Sequence, residues 1–116
     1  MRDIVITGEG IVSAIGNDKA SVLQALLEGR SGIAEMRYLP SSHRELPVGE
    51  VKLSNGELKE LLGLDVSEEI SRNTLLGILA VKQALTDAGV TSINENENEK
   101  LFTAGRRIVL ISGTTV

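Results

Sequence analysis

The hydrophobic positions along the chain change period several times, and each change marks an element. The chain opens with a short β-branched run, Asp3-Ile4-Val5-Ile6-Thr7, followed by Gly8 and Gly10. A continuous apolar run bounded by turn residues predicts a strand buried on both faces, and Ile11 and Val12 extend it beyond a bulge at the glycines. Asn17 or Asp18 caps a first helix whose apolar stripe is Val22, Leu23, Leu26 and Leu27, and Gly29 supplies the left-handed stop. Residues 30–53 then carry no sustained period. They hold both prolines, Pro40 and Pro47, a Ser41-Ser42 pair, the lone His43, and a short edge strand at Val48-Gly49-Glu50-Val51. An irregular stretch this long inside a compact domain is usually functional or interface-forming.

Periodicity returns at Ser54-Asn55-Gly56-Glu57, which fits a capping box opening a short helix through Leu58, Leu61 and Leu62, stopped by Gly63. A longer helix starts at Ser67 or Ser71 and runs to Asp87, with Gly89 beyond its end. Ile70, Leu75, Leu76, Ile78, Leu79, Val81, Ala84, Leu85 and Ala88 cover most of its circumference, which predicts a buried helix. Arg106-Arg107-Ile108-Val109-Leu110-Ile111 reads as a second fully apolar strand, running into Ser112-Gly113-Thr114-Thr115-Val116. Two apolar strands separated by helices predict a parallel pair in an α/β fold, covered by helices on both faces. Their lateral edges stay unpaired, so the expectation is a sequence that stops in mid-domain.

Composition narrows the function classes. The 116 residues carry 12 Lys+Arg against 16 Asp+Glu, a net charge of −4, and Tyr38 and Phe102 are the whole aromatic complement. Neither a basic footprint nor a stacking platform for nucleic acid follows from that. With no Cys and a single His there is no thiolate nucleophile and no Cys- or His-rich metal site within the chain. No apolar run approaches the ~18 residues of a membrane span, and no signal-peptide core follows Met1, so cytoplasm is the default compartment.

The remaining candidate motifs are weak. Gly8-Glu9-Gly10 with Gly16 has part of a dinucleotide fingerprint, but Ser13 stands where the third glycine is needed, and a tight turn is the better reading. Gly113-Thr114-Thr115 lacks the lysine and frame of a phosphate loop. Asn94-Glu95-Asn96-Glu97-Asn98-Glu99 lacks the spacing and central glycine of a calcium loop and reads as solvated. His43 sits between Ser42 and Arg44 with no nucleophile indicated, which makes it a surface-loop residue. Arg72 and the Arg106-Arg107 pair have the charge to bind an anion, although isolated arginines more often make ion pairs or solvated faces.

Four blocks in order carry a family resemblance. Residues 2–17, with Thr7-Gly8-Glu9-Gly10, Val12-Ser13 and Gly16-Asn17, resemble the opening of the β-ketoacyl-[acyl carrier protein] synthases. Leu27-Glu28-Gly29-Arg30-Ser31-Gly32-Ile33 is similar to that family's L-x-G-[KR]-S-G-I block. Ser71-Arg72 through Ala88-Gly89 is similar to its S-R…A-L-x-D-A-G helix, and residues 107–114 to its R-[IV]-x-x-x-x-G-T strand and turn. Glu9 between the glycines and Ala14-Ile15 depart from the usual pattern and leave the subfamily open.

The resemblance implies that residues 1–116 are the beginning of a thiolase-like α/β/α/β/α fold, the N-terminal portion of a β-ketoacyl synthase N-terminal domain. It implies a parent acyltransferase that condenses an acyl group, held on a Cys thiolate, with malonyl-carrier protein by decarboxylation, in fatty-acid or polyketide synthesis. The parent's partners would be acyl carrier protein, malonyl and acyl thioesters, and a second subunit in a homodimer. The Cys and the two His (or His and Asn) of the family lie downstream of Gly113-Thr114, so no catalytic, cofactor-binding or metal-binding residue is assigned here. Arg30, Arg37 and Arg44 are available to an acidic carrier but stay unassigned. The alternatives are a non-catalytic partner subunit of the chain-length-factor type, a stand-alone interaction remnant, or a small unrelated α/β domain binding an anion at Gly113-Thr114-Thr115.

Overall fold

A computed structural model describes residues 3–89 and 109–113. In chain order the elements are helix α1 (Lys19–Leu27), strands β1 (Ala34–Glu35) and β2 (Pro47–Val48), helix α2 (Asn55–Leu62) and helix α3 (Arg72–Asp87). The helices start and stop where local chemistry dictates. Asp18 accepts from the Ser21 N–H and Ser54 from the Glu57 N–H, and each cap is reciprocated in a full capping box. Ser71 caps α3 in the same way through the Thr74 N–H. At the far ends Gly29 and Gly89 follow α1 and α3 with positive φ. Gly63 closes α2 at φ 69°, where its N–H reaches back to the Glu60 and Lys59 carbonyls in a left-handed geometry that a side chain would strain.

The core sits between α2 and α3. Leu58, Leu75 and Leu79 form its buried centre, with Val12, Leu53, Leu62, Leu64, Ile70 and Leu76 packed around them. Burial is otherwise thinner than the sequence pattern predicts. α3 buries only one stripe, since Ile78 and Val81 are exposed, so it is an amphipathic helix rather than one covered all round. On α1 the buried residues are Val22 and Ala25, whereas Leu23, Leu26 and Leu27 are exposed. The apolar stripe is present, but its centre is turned by about one residue relative to what covers it.

The sheet differs most from expectation. Among the described residues the one sheet is a two-residue antiparallel ladder, Ala34 opposite Val48 and Glu35 opposite Pro47. It overlaps the edge strand expected at 48–51, displaced toward Pro47. The parallel pair is not formed there. Residues 4–6 are extended in sequence character yet exposed and unpaired, and so are Val109, Leu110 and Ile111. The physical reason is that a strand is completed by a neighbour, and an apolar run specifies burial without specifying the partner. Residues 106–108 of the second expected strand, with Thr114 and Thr115, lie outside the described residues, as do Arg106, Arg107 and the 94–99 acidic stretch. No helix among the described residues is long and apolar enough to cross a membrane.

Candidate functional site

The segment before α1 lies directly on the backbone of α3, and its glycines explain how. A Cβ on Gly10 would stand 1.9 Å from the Ala80 carbonyl oxygen, and one on Gly8 would stand 2.2 Å from that of Ala84. Both glycines are therefore close-approach positions. The tight turn expected from sequence is not formed there, since residues 8–10 run without a turn. α3 presents Ala80, Ala84 and Ala88 to them, a row of small side chains at helical spacing.

Polar groups of α3 then fix the register of this segment. The Glu9 N–H donates to Asp87 Oδ2 at 3.0 Å, and the Ile11 N–H donates to Gln83 Oε1 at 3.0 Å. Gln83 Nε2 in turn donates to the Asn17 carbonyl at 2.5 Å, so one amide grips both ends of residues 11–17. Between them Ser13 and Gly16 close a turn through the Ser13 N–H and the Gly16 carbonyl at 2.8 Å. The Asn17 Oδ1 is buried without a hydrogen-bond partner among the described residues.

Beside this docked segment a cleft of about 470 Å³ opens between α1, the end of α2 and α3, lined by Glu9, Lys19, Leu61, Lys82, Gln83 and Asp87 among others. Its charges are already committed. Lys19 Nζ pairs with Asp87 at 2.7 Å and with Glu9 at 3.8 Å, and Lys82 Nζ donates to the Leu61 carbonyl at 3.2 Å. The Lys19 ammonium, with the Glu9 N–H, holds the Asp87 carboxyl below its ordinary range, and the bond to Asp87 holds Lys19 above its own. Both shifts move these groups away from neutrality, whereas an acid–base catalyst needs a pKa near the working pH. The one hydroxyl in its lining, that of Thr86, donates to the Lys82 carbonyl at 2.9 Å and has no base beside it that is held near neutrality. His43 is exposed as expected, its Nδ1 3.3 Å from Glu45 Oε1. No group of three metal-ligating side chains occurs among the described residues.

A second polar junction was invisible to the pattern. Glu50 is only 5% exposed, and its carboxylate accepts from the N–H groups of Arg37, Tyr38 and Leu39, the latter two at 3.1–3.2 Å. Burial pushes this carboxyl up, but the three N–H donors and the Lys52 charge outweigh it, and the net shift is downward. Arg72, the first residue of α3, spends its guanidinium on neutral acceptors of its own chain. Its guanidinium donates to the carbonyls of Leu53 at 2.8 Å and Val51 at 2.9 Å and to Asn55 Oδ1 at 3.0 Å, and it lies 5.7 Å from the Tyr38 ring centroid. The fan of donors on one planar group explains why arginine stands there.

What the described residues define is a packing frame of helices with a clamped N-terminal segment and an anchored excursion, with no reactive group set apart from its partners. Comparison with known proteins gives the frame its family. The family described as "Beta-ketoacyl synthase, N-terminal domain" matches residues 1–114, and the chain belongs to that family. It is 34% identical over 116 residues to the 3-oxoacyl-[acyl-carrier-protein] synthase 1 of Buchnera aphidicola subsp. Baizongia pistaciae, covering 99% of this chain and 26% of that protein. It is 40% identical over 92 residues to the 3-oxoacyl-[acyl-carrier-protein] synthase 1 of Escherichia coli K12, covering 78% of this chain and 22% of that protein. The chloroplastic 3-oxoacyl-[acyl-carrier-protein] synthase II of Arabidopsis thaliana is 32% identical over 93 residues, 78% of this chain and 16% of that protein. The chain thus spans roughly a quarter or less of the length of these curated relatives. No solved structure matches it.

Proposed function

We propose that these residues are the N-terminal portion of a 3-oxoacyl-[acyl-carrier-protein] synthase, in which they form the opening of a thiolase-like domain. The parent protein would be an acyltransferase of fatty-acid synthesis. It would join a Cys-bound acyl group to the carbanion left when malonyl-carrier protein loses carbon dioxide. The observation that carries this reading is the family match across residues 1–114, with 34% identity sustained over 99% of the chain. Each of the three relatives above is named a synthase, which favours the enzyme over a non-catalytic partner subunit.

The role of residues 3–89 in that enzyme is structural. They hold charges in pairs and peptide groups in clamps, and they contribute no thiolate and no exposed imidazole next to a nucleophile. Carbanion formation from a malonyl thioester needs an oxyanion site and imidazole or amide donors, and condensation needs a thiolate. On this reading those groups would be supplied by residues of the parent enzyme other than these. Acyl carrier protein is the proposed partner, a homodimer the proposed assembly and the cytoplasm the proposed compartment. In the thiolase-like arrangement the exposed runs 4–6 and 109–111 would be the neighbouring parallel strands of the central sheet, completed by further strands.

Reading the gene past codon 116 tests the proposal. An in-frame continuation that supplies a Cys and two His is expected. A stop codon directly after Val116 would overturn the assignment to an enzyme.

A further inference from the structure

The excursion between β1 and α2 has very little regular structure to hold it. Its ladder is two residues long on each side, and its remaining side-chain bonds, such as the His43 N–H to Ser41 Oγ at 3.1 Å, are short-range and exposed. Against that background the Glu50 junction stands out. Three consecutive peptide N–H groups converge on one carboxylate, which is the arrangement by which backbone concavities bind free anions. Glu50 is also the one buried charged or polar residue among the described residues.

We propose that the Glu50 carboxylate is a latch, an internal anion seated in a backbone anion site made by Arg37, Tyr38 and Leu39, whose removal frees residues 36–46 while the helices stay folded. The two sides of the junction are anchored unequally, and that is what makes it a latch. The Glu50 side is tied independently to α3, because Arg72 holds the carbonyls of Val51 and Leu53. The 37–39 side has the carboxylate and the contact of the Tyr38 ring with Arg72. Loss of the carboxylate therefore leaves three N–H donors unpaired on the loop but leaves the α2–α3 core, centred on Leu58 and Leu75, untouched.

The charged groups at the junction are Lys52, whose charge lowers the Glu50 carboxyl, and Arg72 on α3, which lies over the Tyr38 ring, while Arg37 and Tyr38 contribute their backbone N–H groups. With the folded carboxyl depressed, the latch is complete above the ordinary glutamate value of 4.5 and is lost as the pH falls through the lower folded value. At neutral pH the excursion is therefore a preformed surface rather than a loop that orders on contact. This inference is independent of the proposed enzymatic role.

The test is amide NMR on the full chain. In the wild type, the amide signals of Arg37, Tyr38 and Leu39 should titrate together, with one midpoint below 4.5, while the amides of Leu75 and Leu79 in the buried core stretch of α3, away from Asp87, remain unshifted through that midpoint. Flat signals, or three unrelated midpoints, would overturn the latch. In Glu50→Ala the same three amides should exchange with solvent about tenfold faster or more, with α3 amides near wild-type rates. Unchanged exchange at 37–39, or an equal acceleration in α3, would refute it.

Discussion

Substituting alanine for Gly10 tests the close approach of the N-terminal segment to α3. The added Cβ would lie 1.9 Å from the Ala80 carbonyl oxygen and 2.9 Å from both the Ala80 carbonyl carbon and the Ala84 nitrogen. All three are helix backbone, so no side-chain rotation can relieve the clash. Ordinary contact begins near 3.4 Å, so the segment must retreat by about 1.5 Å. A retreat of that size carries the 3.0 Å bond from the Ile11 N–H to Gln83 beyond hydrogen-bonding range, at a cost of about 1 kcal/mol. Overpacking adds about 1–3 kcal/mol, for a total near ~3 kcal/mol, more than a hundredfold in the folded-to-unfolded ratio.

Urea unfolding followed by circular dichroism, together with hydrogen exchange at the Ile11 amide, measures the effect. Gly77→Ala is the matched control. Gly77 lies inside α3 with open space where its Cβ would go, so the same substitution should stabilise by about 0.5–1 kcal/mol. The opposite signs are the prediction. A Gly10→Ala protein that unfolds at the wild-type urea concentration, with Ile11 still protected, would refute the close-approach account.

Leu75→Ala should cost about 2–5 kcal/mol in urea unfolding, because the side chain is fully buried at the centre of the α2–α3 core. Ser54→Ala removes the hydroxyl that accepts from the Glu57 N–H, leaving the Ser54 backbone half of the capping box, and should cost about 1 kcal/mol, seen as a lowered melting temperature. The Lys19–Asp87 pair sets a pH window. Asp87, with its folded value depressed, adds stability above its ordinary 3.8 that is lost as pH falls through the folded value; Lys19, with its folded value raised, adds stability below 10.5 that is lost as pH rises through its own. Melting curves of Asp87→Asn should accordingly show a weaker fall in stability below pH 4 than the wild type, and added salt should shrink the difference.

The helix termini were legible because capping is local. Asp18, Ser54 and Ser71 each meet their partner three residues on, and the glycines after each helix act within one turn. Burial was less legible. The stripe of α1 was read as Val22, Leu23, Leu26 and Leu27; Val22 is covered, together with Ala25, but the three leucines are exposed, because a periodic pattern marks a face without naming what packs on it. For the same reason residues 4–6 read as a buried strand and stand exposed.

The Gly8 and Gly10 positions were visible as a motif but carried the wrong meaning. Their complement, Ala80, Ala84 and Ala88 at four-residue intervals, was also in the sequence and is the signal that would have paired them. Glu50 and Arg72 left no such trace. Their partners lie 11–13 and 17–21 residues away, and polar contacts across an irregular loop impose no period. Family membership, by contrast, was legible from four short ordered blocks, and the first three of them hold close contacts and caps, at Gly8 and Gly10, at Gly29 and at Ser71 and Gly89.

The central claim is that residues 1–116 frame a condensing enzyme whose reactive groups lie elsewhere in the protein. Carbon dioxide release from radiolabelled malonyl-carrier protein, measured for these 116 residues alone and for the complete gene product, tests it most directly. The complete protein should release carbon dioxide and form a 3-oxoacyl thioester, and the 116-residue chain should do neither. Turnover by the 116-residue chain, or an inert complete protein that carries an intact Cys and both His, would contradict the account.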